Sequence, residues 1–243
     1  MDKQGRFARV ILNGFYAYFA EFENITLAAR TRFEQAEWAI MQDFSSRRID
    51  VYKETVMAFC RAYELVDPVV MGCSMGGRVV LHLALEQADY FKCVIALEGA
   101  DKLDAYYDLD WLHRPDVHGG EVASAFVSAQ VAPQSPDEHR WETLWHYMQG
   151  GPGIFKGDLY FYWHDGDFDD RSPLIDTEKC PVYLLSGEYD SSCTPERMEA
   201  TAARIKGSKA TVMEGIGHFP MSENPELFRS FLLSVLDEIR SEL

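Results

Sequence analysis

Apolar residues are grouped in two different ways along the 243-residue chain, and the grouping changes near residue 67. Beyond this point, short apolar runs rich in β-branched residues each end close to a glycine: PVVMGCS, CVIALEG, PVYLLSGE and ATVMEG. Such runs predict strands that are buried on both faces of a parallel sheet. Helical patterns fall between them, in GGRVVLHLALEQADY, TPERMEATAARIK and NPELFRSFLLSVLDEIRSEL. The alternation of strand and helix predicts an α/β fold.

The chain before residue 67 has the pattern of helices. Ile11, Phe15, Tyr18 and Phe22 recur at steps of three and four, which predicts one apolar helix face. A second helix is predicted over residues 26–44, and a third over SSRRIDVYKETVMAFCRAYEL, with Ser45 or Ser46 as its N-cap. We find no strand pattern here, and all ten prolines lie at Pro68 or later. The N-terminal segment is therefore predicted to be all-helical.

The chain is predicted to have three parts. Residues 1–54 form the helical segment, residues 55–100 and 179–243 form the α/β core, and residues 101–178, which are irregular and rich in aromatic residues, form an inserted cap. Charge changes at the first boundary, since residues 1–54 hold eight basic and eight acidic residues and the remainder carries the whole net charge of −16.

Composition narrows the class of protein. A net charge of −16 argues against binding to nucleic acid or to an anionic membrane, both of which need basic surface. No apolar run approaches the length of a membrane span, and the N-terminus has no secretory pattern, so we expect a cytoplasmic protein. The five cysteines lack CxxC spacing and are expected to be reduced, packed thiols: Cys60, Cys73, Cys93, Cys180 and Cys193.

The stretch GCSMG, residues 72–76, joins a predicted strand to a predicted helix. Glycines at this point permit a tight, strained turn that lifts the Ser74 hydroxyl clear of the sheet. The backbone N–H of Met75 would then point to the position of an oxyanion. Ser74 is therefore a candidate nucleophile.

A nucleophilic serine needs a base, and the base needs an acid that orients it. Asp190 follows the predicted strand VYLLSG, and His218 follows the predicted strand around VMEG. In this order, and at strand ends, the three residues resemble the α/β-hydrolase superfamily from about residue 55 to the end of the chain. The resemblance implies Ser74 as nucleophile, Asp190 as acid and His218 as base, with no cofactor.

Other carboxylates compete for the role of the acid. Glu188 lies near Asp190 but closer to its strand, while Glu98 and Asp101 follow the strand CVIAL. Some members of the superfamily are thought to place the acid after that strand. Glu188 therefore remains one alternative to Asp190, and Glu98 or Asp101 remains a second.

Two groups of residues have a weak metal-site pattern. His113 and His118, with Asp110 and Asp116, lack helical spacing, and DGDFDD at residues 165–170 lacks the glycine and the final glutamate of a calcium loop. We predict no metal site.

The first fifth of the chain resembles a different family. RFEQAEW followed by RIDVYKETV is similar to the N-terminal helical region of isocitrate dehydrogenase kinase/phosphatase, over about residues 8–58. This region holds none of that family's ATP-binding or catalytic elements, so it implies no activity here. A fusion would leave the hydrolase without its first strands and without the His-Gly loop that supplies a second oxyanion N–H. Residues 68–73 would then be an apolar sheet edge, and we expect self-association through it.

The sequence predicts a serine hydrolase that acts on an ester or a similar carbonyl substrate. The alternative is a non-catalytic chimera in which Ser74, His218 and Asp190 are vestigial and the helices serve only in interactions. Aromatic residues in the cap favour an apolar or aromatic small-molecule substrate: Trp111, Trp141, Trp145, Trp163, Tyr106, Tyr107, Tyr147, Tyr160, Phe161 and Tyr162.

Overall fold

The computed structural model describes residues 10–13, 16–19, 48–103, 119–148, 161–162 and 164–241. These residues contain six strands: β1 (Val10–Asn13), β2 (Tyr16–Phe19), β3 (Val69–Cys73), β4 (Cys93–Leu97), β5 (Val182–Gly187) and β6 (Lys209–Met213). They form one sheet in the order β2-β1-β3-β4-β5-β6. All neighbouring pairs are parallel except β1 and β2, which are antiparallel.

Helices alternate with the strands after β3, as predicted. The described helices are α1 (Arg48–Ala62), α2 (Met75–Glu86), α3 (Gly119–Ser128), α4 (Asp137–Met148), α5 (Pro195–Arg204), α6 (Pro220–Glu223) and α7 (Pro225–Ser241), with a 3₁₀ turn at Ser172–Leu174. The parallel α/β prediction is confirmed, and so is each of the four strands and three helices predicted beyond residue 67. No helix among the described residues is long and apolar enough to cross a membrane.

The central strands are buried on both faces, which explains why their sequences are continuously apolar. Val94 and Ala96 of β4 belong to an apolar cluster with α1, α2 and α5. Ile95 and Leu97, which point the other way, pack in a second cluster with Phe228 and further residues of α7. All five cysteines are buried thiols, as expected.

The first predicted helix is wrong. The residues that were assigned to it contain β1 and β2, whose pairing matches Asn13 with Tyr16. Two features of the sequence explain the error. The Asn-Gly step at 13–14 is a strong hairpin signal, and β-branched and aromatic residues surround it. The prediction over residues 26–44 lies outside the described residues, whereas the third predicted helix is confirmed as α1.

The predicted sheet edge at residues 68–73 is also wrong. β1 runs parallel to β3, with Ile11 beside Met71 and Asn13 beside Cys73, so β3 has a hydrogen-bonded neighbour on each side. The sheet ends instead at β2 and β6. Self-association through β3 therefore loses its physical basis. The predicted part boundaries stay predictions, although α1 runs across the one at residue 54.

Candidate active site

Ser74 is the single residue between β3 and α2. Its backbone has φ 54° and ψ −116°, a conformation that a residue with a Cβ rarely adopts. The turn also needs Gly72, because a Cβ there would lie 2.2 Å from the carbonyl oxygen of Gly76. The Ser74 N–H donates to Leu97 O (2.8 Å), which fixes the turn to the end of β4. The strained turn presents the Ser74 hydroxyl above the carboxyl ends of the strands, as the glycine pattern predicts.

His218 and Asp190 meet Ser74 in one chain of hydrogen bonds. The distance from Ser74 Oγ to His218 Nε2 is 2.9 Å, and that from His218 Nδ1 to Asp190 Oδ2 is 2.8 Å. Because an ionised carboxylate only accepts, Nδ1 carries the proton and donates it, which leaves Nε2 to accept from the Ser74 hydroxyl. The side chains of His218 and Asp190 are 6% and 0% exposed. The chain can therefore move a proton from serine to imidazole away from water.

The loops after β5 and β6 hold these two side chains in place. Asp190 Oδ1 accepts the Ser192 N–H (2.7 Å), and the Tyr189 N–H donates to Ile216 O (2.9 Å), which ties one loop to the other. The His218 N–H donates to Gln130 O (2.9 Å), just beyond α3. The imidazole is thus fixed from both the core and the cap.

The charge of Asp190 is stabilised despite its burial. Burial opposes ionisation, but the electrostatic interaction with His218 and the hydrogen bonds to the carboxylate outweigh it, so the pKa of Asp190 lies below its ordinary value. A carboxylate that stays ionised can hold the Nδ1–H tautomer and stabilise an imidazolium.

Met75 is the first residue of α2 and is buried. Its N–H belongs to the first helical turn, where backbone donors have no partner within the helix. The structure therefore places this predicted oxyanion donor directly after Ser74, the candidate nucleophile.

Sequence reasoning did not single out Tyr162. Its phenol oxygen lies 2.9 Å from Ser74 Oγ, within hydrogen-bond distance. Arg78 of α2, which is 1% exposed, donates from Nη1 to Tyr162 O (2.9 Å) and from Nε to Ala100 O (2.9 Å). Its guanidinium also lies over the Tyr162 ring, 5.0 Å from the centroid. In the sequence Tyr162 was only one of many cap aromatics. The available signal was Arg78, the buried arginine that follows the serine turn.

Glu223 was missed as well. Its buried carboxyl accepts the N–H groups of Gly217 and Ala132, the latter at 3.0 Å, and so supports the loop that carries His218. Burial raises the pKa of this carboxyl above its ordinary value. In the sequence it is an ordinary acidic residue near a helix start, and no pattern distinguishes it.

Two of the alternative acids bind elsewhere. Glu188 is exposed and accepts the Gly215 N–H (2.9 Å). Asp101 is bound by Ser172, Thr201 and Arg204. The third, Glu98, is buried beside Asp190.

The residues of the first weak metal pattern lie outside the described part of the chain: Asp110, His113, Asp116 and His118. In the DGDFDD stretch, Asp167 Oδ1 accepts the Asp169 N–H (2.7 Å) and Asp170 forms an ion pair with Lys102. Glu98, Asp190 and His218 approach one another closely enough for a metal, but Asp190 and the Nδ1 of His218 are already bound to each other.

The fold resembles those of known hydrolases. A solved thermophilic esterase from Thermogutta terrifontis superposes with a TM-score of 0.67, at 20% identity, over 79% of this chain and 72% of its own. The chain has the α/β-hydrolase fold. Among curated proteins, the pimeloyl-[acyl-carrier protein] methyl ester esterase of Neisseria meningitidis is 25% identical over 203 residues, 70% of this chain.

The N-terminal resemblance is confirmed alongside this α/β-hydrolase fold. Residues 8–66 match the regulatory domain of isocitrate dehydrogenase kinase/phosphatase (AceK). Isocitrate dehydrogenase kinase/phosphatase 1 of Pseudoalteromonas translucida is 35% identical over 68 residues, 28% of this chain. The chain spans 12% of the length of that kinase/phosphatase and 58% of the length of the Neisseria esterase.

Proposed function

We propose that the protein is a serine hydrolase that cleaves an ester, or a similar carbonyl substrate, through an acyl-enzyme. The observation that carries the proposal is the continuous hydrogen-bonded chain from Ser74 Oγ through His218 to the buried Asp190. The α/β-hydrolase fold supports a hydrolase of this general kind.

In the first half-reaction, His218 Nε2 takes the Ser74 hydroxyl proton while Oγ bonds to the carbonyl carbon. The carbonyl π electrons move to oxygen, and the Met75 N–H donates to the resulting oxyanion. When the oxyanion collapses, the bond to the leaving alcohol breaks and the alcohol takes the proton from His218. In the second half-reaction water gives a proton to His218 and attacks the acyl carbon. The resulting oxyanion collapses, the bond to Ser74 Oγ breaks, Oγ takes the proton from His218, and the carboxylic acid leaves.

We further propose that Tyr162 provides the second oxyanion donor. In the resting site its O–H donates to Ser74 Oγ, because the serine proton is directed at His218. Once Oγ is bonded to carbon, the adjacent oxyanion is the stronger acceptor, so the phenol turns to it. This assignment would replace the N–H of the His-Gly loop that the sequence lacks.

The substrate is proposed to be an apolar or aromatic small molecule. Among the cap aromatics, Phe161 is buried against Tyr52, with ring centroids 5.6 Å apart, and so joins the cap to the core. Tyr162 is the described cap residue whose hydroxyl lies within hydrogen-bond distance of Ser74 Oγ. Assays with p-nitrophenyl esters of increasing acyl length would define the preference.

The proposal is tested by intact mass after treatment with a fluorophosphonate, for wild type, Ser74→Ala and Ser230→Ala. Ser230 is an exposed helix serine and serves as the matched control. We expect one adduct on wild type and on Ser230→Ala, and none on Ser74→Ala. Absence of an adduct on folded wild type would instead favour the non-catalytic chimera, to which the kinase/phosphatase-like segment would contribute only an interaction surface.

A further inference from the structure

Glu98 lies at the end of β4, directly beside the end of β5. It has a positive φ of 48° and is 3% exposed. Its N–H donates to Leu185 O (2.8 Å), and its carboxyl accepts the Gly187 N–H, at 3.0 Å to each oxygen. A glutamate in this unusual backbone conformation is held by both neighbouring strands, so the position of its carboxyl is fixed.

The Glu98 carboxyl faces the acid of the proposed catalytic chain. One oxygen of Glu98, one oxygen of Asp190 and a ring nitrogen of His218 all lie within 4.8 Å of one another. Both carboxyl groups are buried. Two ionised carboxylates this close in a buried site repel each other, so a proton on one of them is favoured, and the protonated group can then donate to the other.

The surroundings decide which carboxyl carries the proton. Asp190 accepts from His218 Nδ1 and from the Ser192 N–H, both of which favour its ionised form. Glu98 has no cation among its hydrogen-bond partners, and among the described residues its carboxyl accepts only from the Gly187 N–H. Burial, followed by the charge of Asp190, raises the pKa of Glu98 well above its ordinary value. Asp190 is therefore the ionised partner.

We propose that Glu98 is a positioning residue: a neutral carboxylic acid whose O–H donates to Asp190 and holds that carboxylate in line with His218. Its effect on turnover rests on the proposed function, whereas the protonated state itself does not. The other titratable groups that face Glu98 are Glu223 on α6 and the thiols of Cys73 and Cys193. Burial raises the pKa of both thiols, so neither adds charge at neutral pH.

Two substitutions separate the effects of shape, hydrogen bonding and charge. Glu98→Gln keeps a donor for Asp190 and an acceptor for the Gly187 N–H, so kcat should stay within about threefold of wild type. Glu98→Leu keeps a similar volume but removes both bonds, so kcat should fall about 10- to 100-fold with little change in KM. An equal loss of kcat in the two variants would overturn the proposal.

The acid limb of the kcat/KM profile tests the charge. If Glu98 is neutral, Glu98→Gln leaves the acid limb where it is in wild type. If Glu98 is ionised, the substitution removes a negative charge near His218, and the limb moves down by about one pH unit. The second result would overturn the proposal.

Infrared difference spectroscopy gives a readout that needs no activity. Wild type minus Glu98→Gln at pH 7 should show the carbonyl stretch of a protonated carboxyl, and absence of that band would overturn the proposal. If fluorophosphonate labelling fails but the band is present, the proposed function is wrong and the protonated state of Glu98 still stands.

Discussion

The loop after β4, residues 98–101, and the loop after β5, residues 188–192, each contain a buried aspartate, and the two aspartates have different partners. Asp101 is bound by Arg204, with Nε 2.6 Å from Oδ2, and by the hydroxyl of Thr201 at 3.0 Å. Asp190 is bound by His218. In both, burial opposes ionisation but the partners outweigh it, and the pKa lies below the ordinary value.

The difference shows that burial and a low pKa do not identify a catalytic carboxylate. The guanidinium of Arg204 is permanently charged and touches no reactive group, so Asp101 joins α5 to the sheet. The imidazole of His218 can gain and lose a proton and touches a hydroxyl, so Asp190 can affect chemistry. The partner, and what that partner contacts, distinguishes the two roles.

The largest expected effect belongs to Asp190→Asn. The amide cannot stabilise the imidazolium and favours the wrong tautomer of His218, so kcat should fall by about 10⁴-fold. The free energy of unfolding should change little, which urea denaturation would check. Turnover within tenfold of wild type would contradict the assignment of Asp190 as the acid.

Asp101→Asn should give the reverse result. The substitution leaves Arg204 without its buried partner, so the protein should lose about 3 kcal/mol of stability. This value is at the low end of the range for breaking a buried ion pair, because the Arg204 guanidinium is partly exposed. The rate of fluorophosphonate labelling of the folded protein should equal that of wild type. A labelling rate as low as that of Asp190→Asn would remove the distinction between the loops.

The pH dependence of stability separates Asp101 from a buried histidine. Burial, mainly, lowers the pKa of His82 to about 4, so the folded state resists its protonation. Between pH 6.5 and 4 the unfolded chain binds this proton and the folded chain does not, so stability falls as pH falls, by about 2 kcal/mol at pH 5. Because the pKa of Asp101 is low, its contribution to stability is lost only at more acidic pH.

The measurement is urea denaturation at several pH values for wild type and His82→Leu. Glu98 and Glu223, whose pKa values are raised, contribute a slope of opposite sign, so the prediction concerns the difference between the two proteins. That difference should shrink as the pH falls from 7 to 5. Parallel curves would show that His82 does not titrate as stated.

The smallest expected effect concerns a link between the loop after β4 and Ser74. Ala100 O accepts from Arg78, which in turn binds the Tyr162 carbonyl. Tyr162→Phe keeps this link and the ring but removes the hydroxyl. Because the phenol must turn from Ser74 Oγ to reach the oxyanion, it is not a preorganised donor, so kcat should fall only about tenfold. A faster Tyr162→Phe would show instead that the phenol blocks the serine.

Parallel topology explains how much of the site the sequence could predict. Ser74, Asp190 and His218 each follow an apolar run, and the carboxyl ends of parallel strands meet at one edge of the sheet. Three separate local patterns were therefore enough to bring these residues together. The four strands and three helices beyond residue 67 were predictable for the same reason, because continuous apolar runs and amphipathic periods differ clearly.

The rest depended on information that is not local. In residues 10–19 the spacing of apolar residues fits a helix and a hairpin alike, and pairing with β3 adds to the local Asn-Gly signal in favour of the strand. Tyr162 comes from an irregular stretch whose path no period predicts. Glu98 stood among the candidate acids, but its neutral role depends on Asp190, 92 residues further along the chain.

The order of the strands also divides the site between two folding units. β3, α2 and β4 form one unit in which Val69 pairs with Cys93, and β5, α5 and β6 form another in which Tyr183 pairs with Lys209. Each unit forms by closing a short loop of the chain. Joining the two units instead pairs Val94 with Val182, which are separated in the sequence by the whole cap. Ser74 belongs to the first unit, and Asp190 and His218 belong to the second. During refolding, fluorophosphonate reactivity should therefore return only when β4 docks on β5, after the helices of either unit have formed.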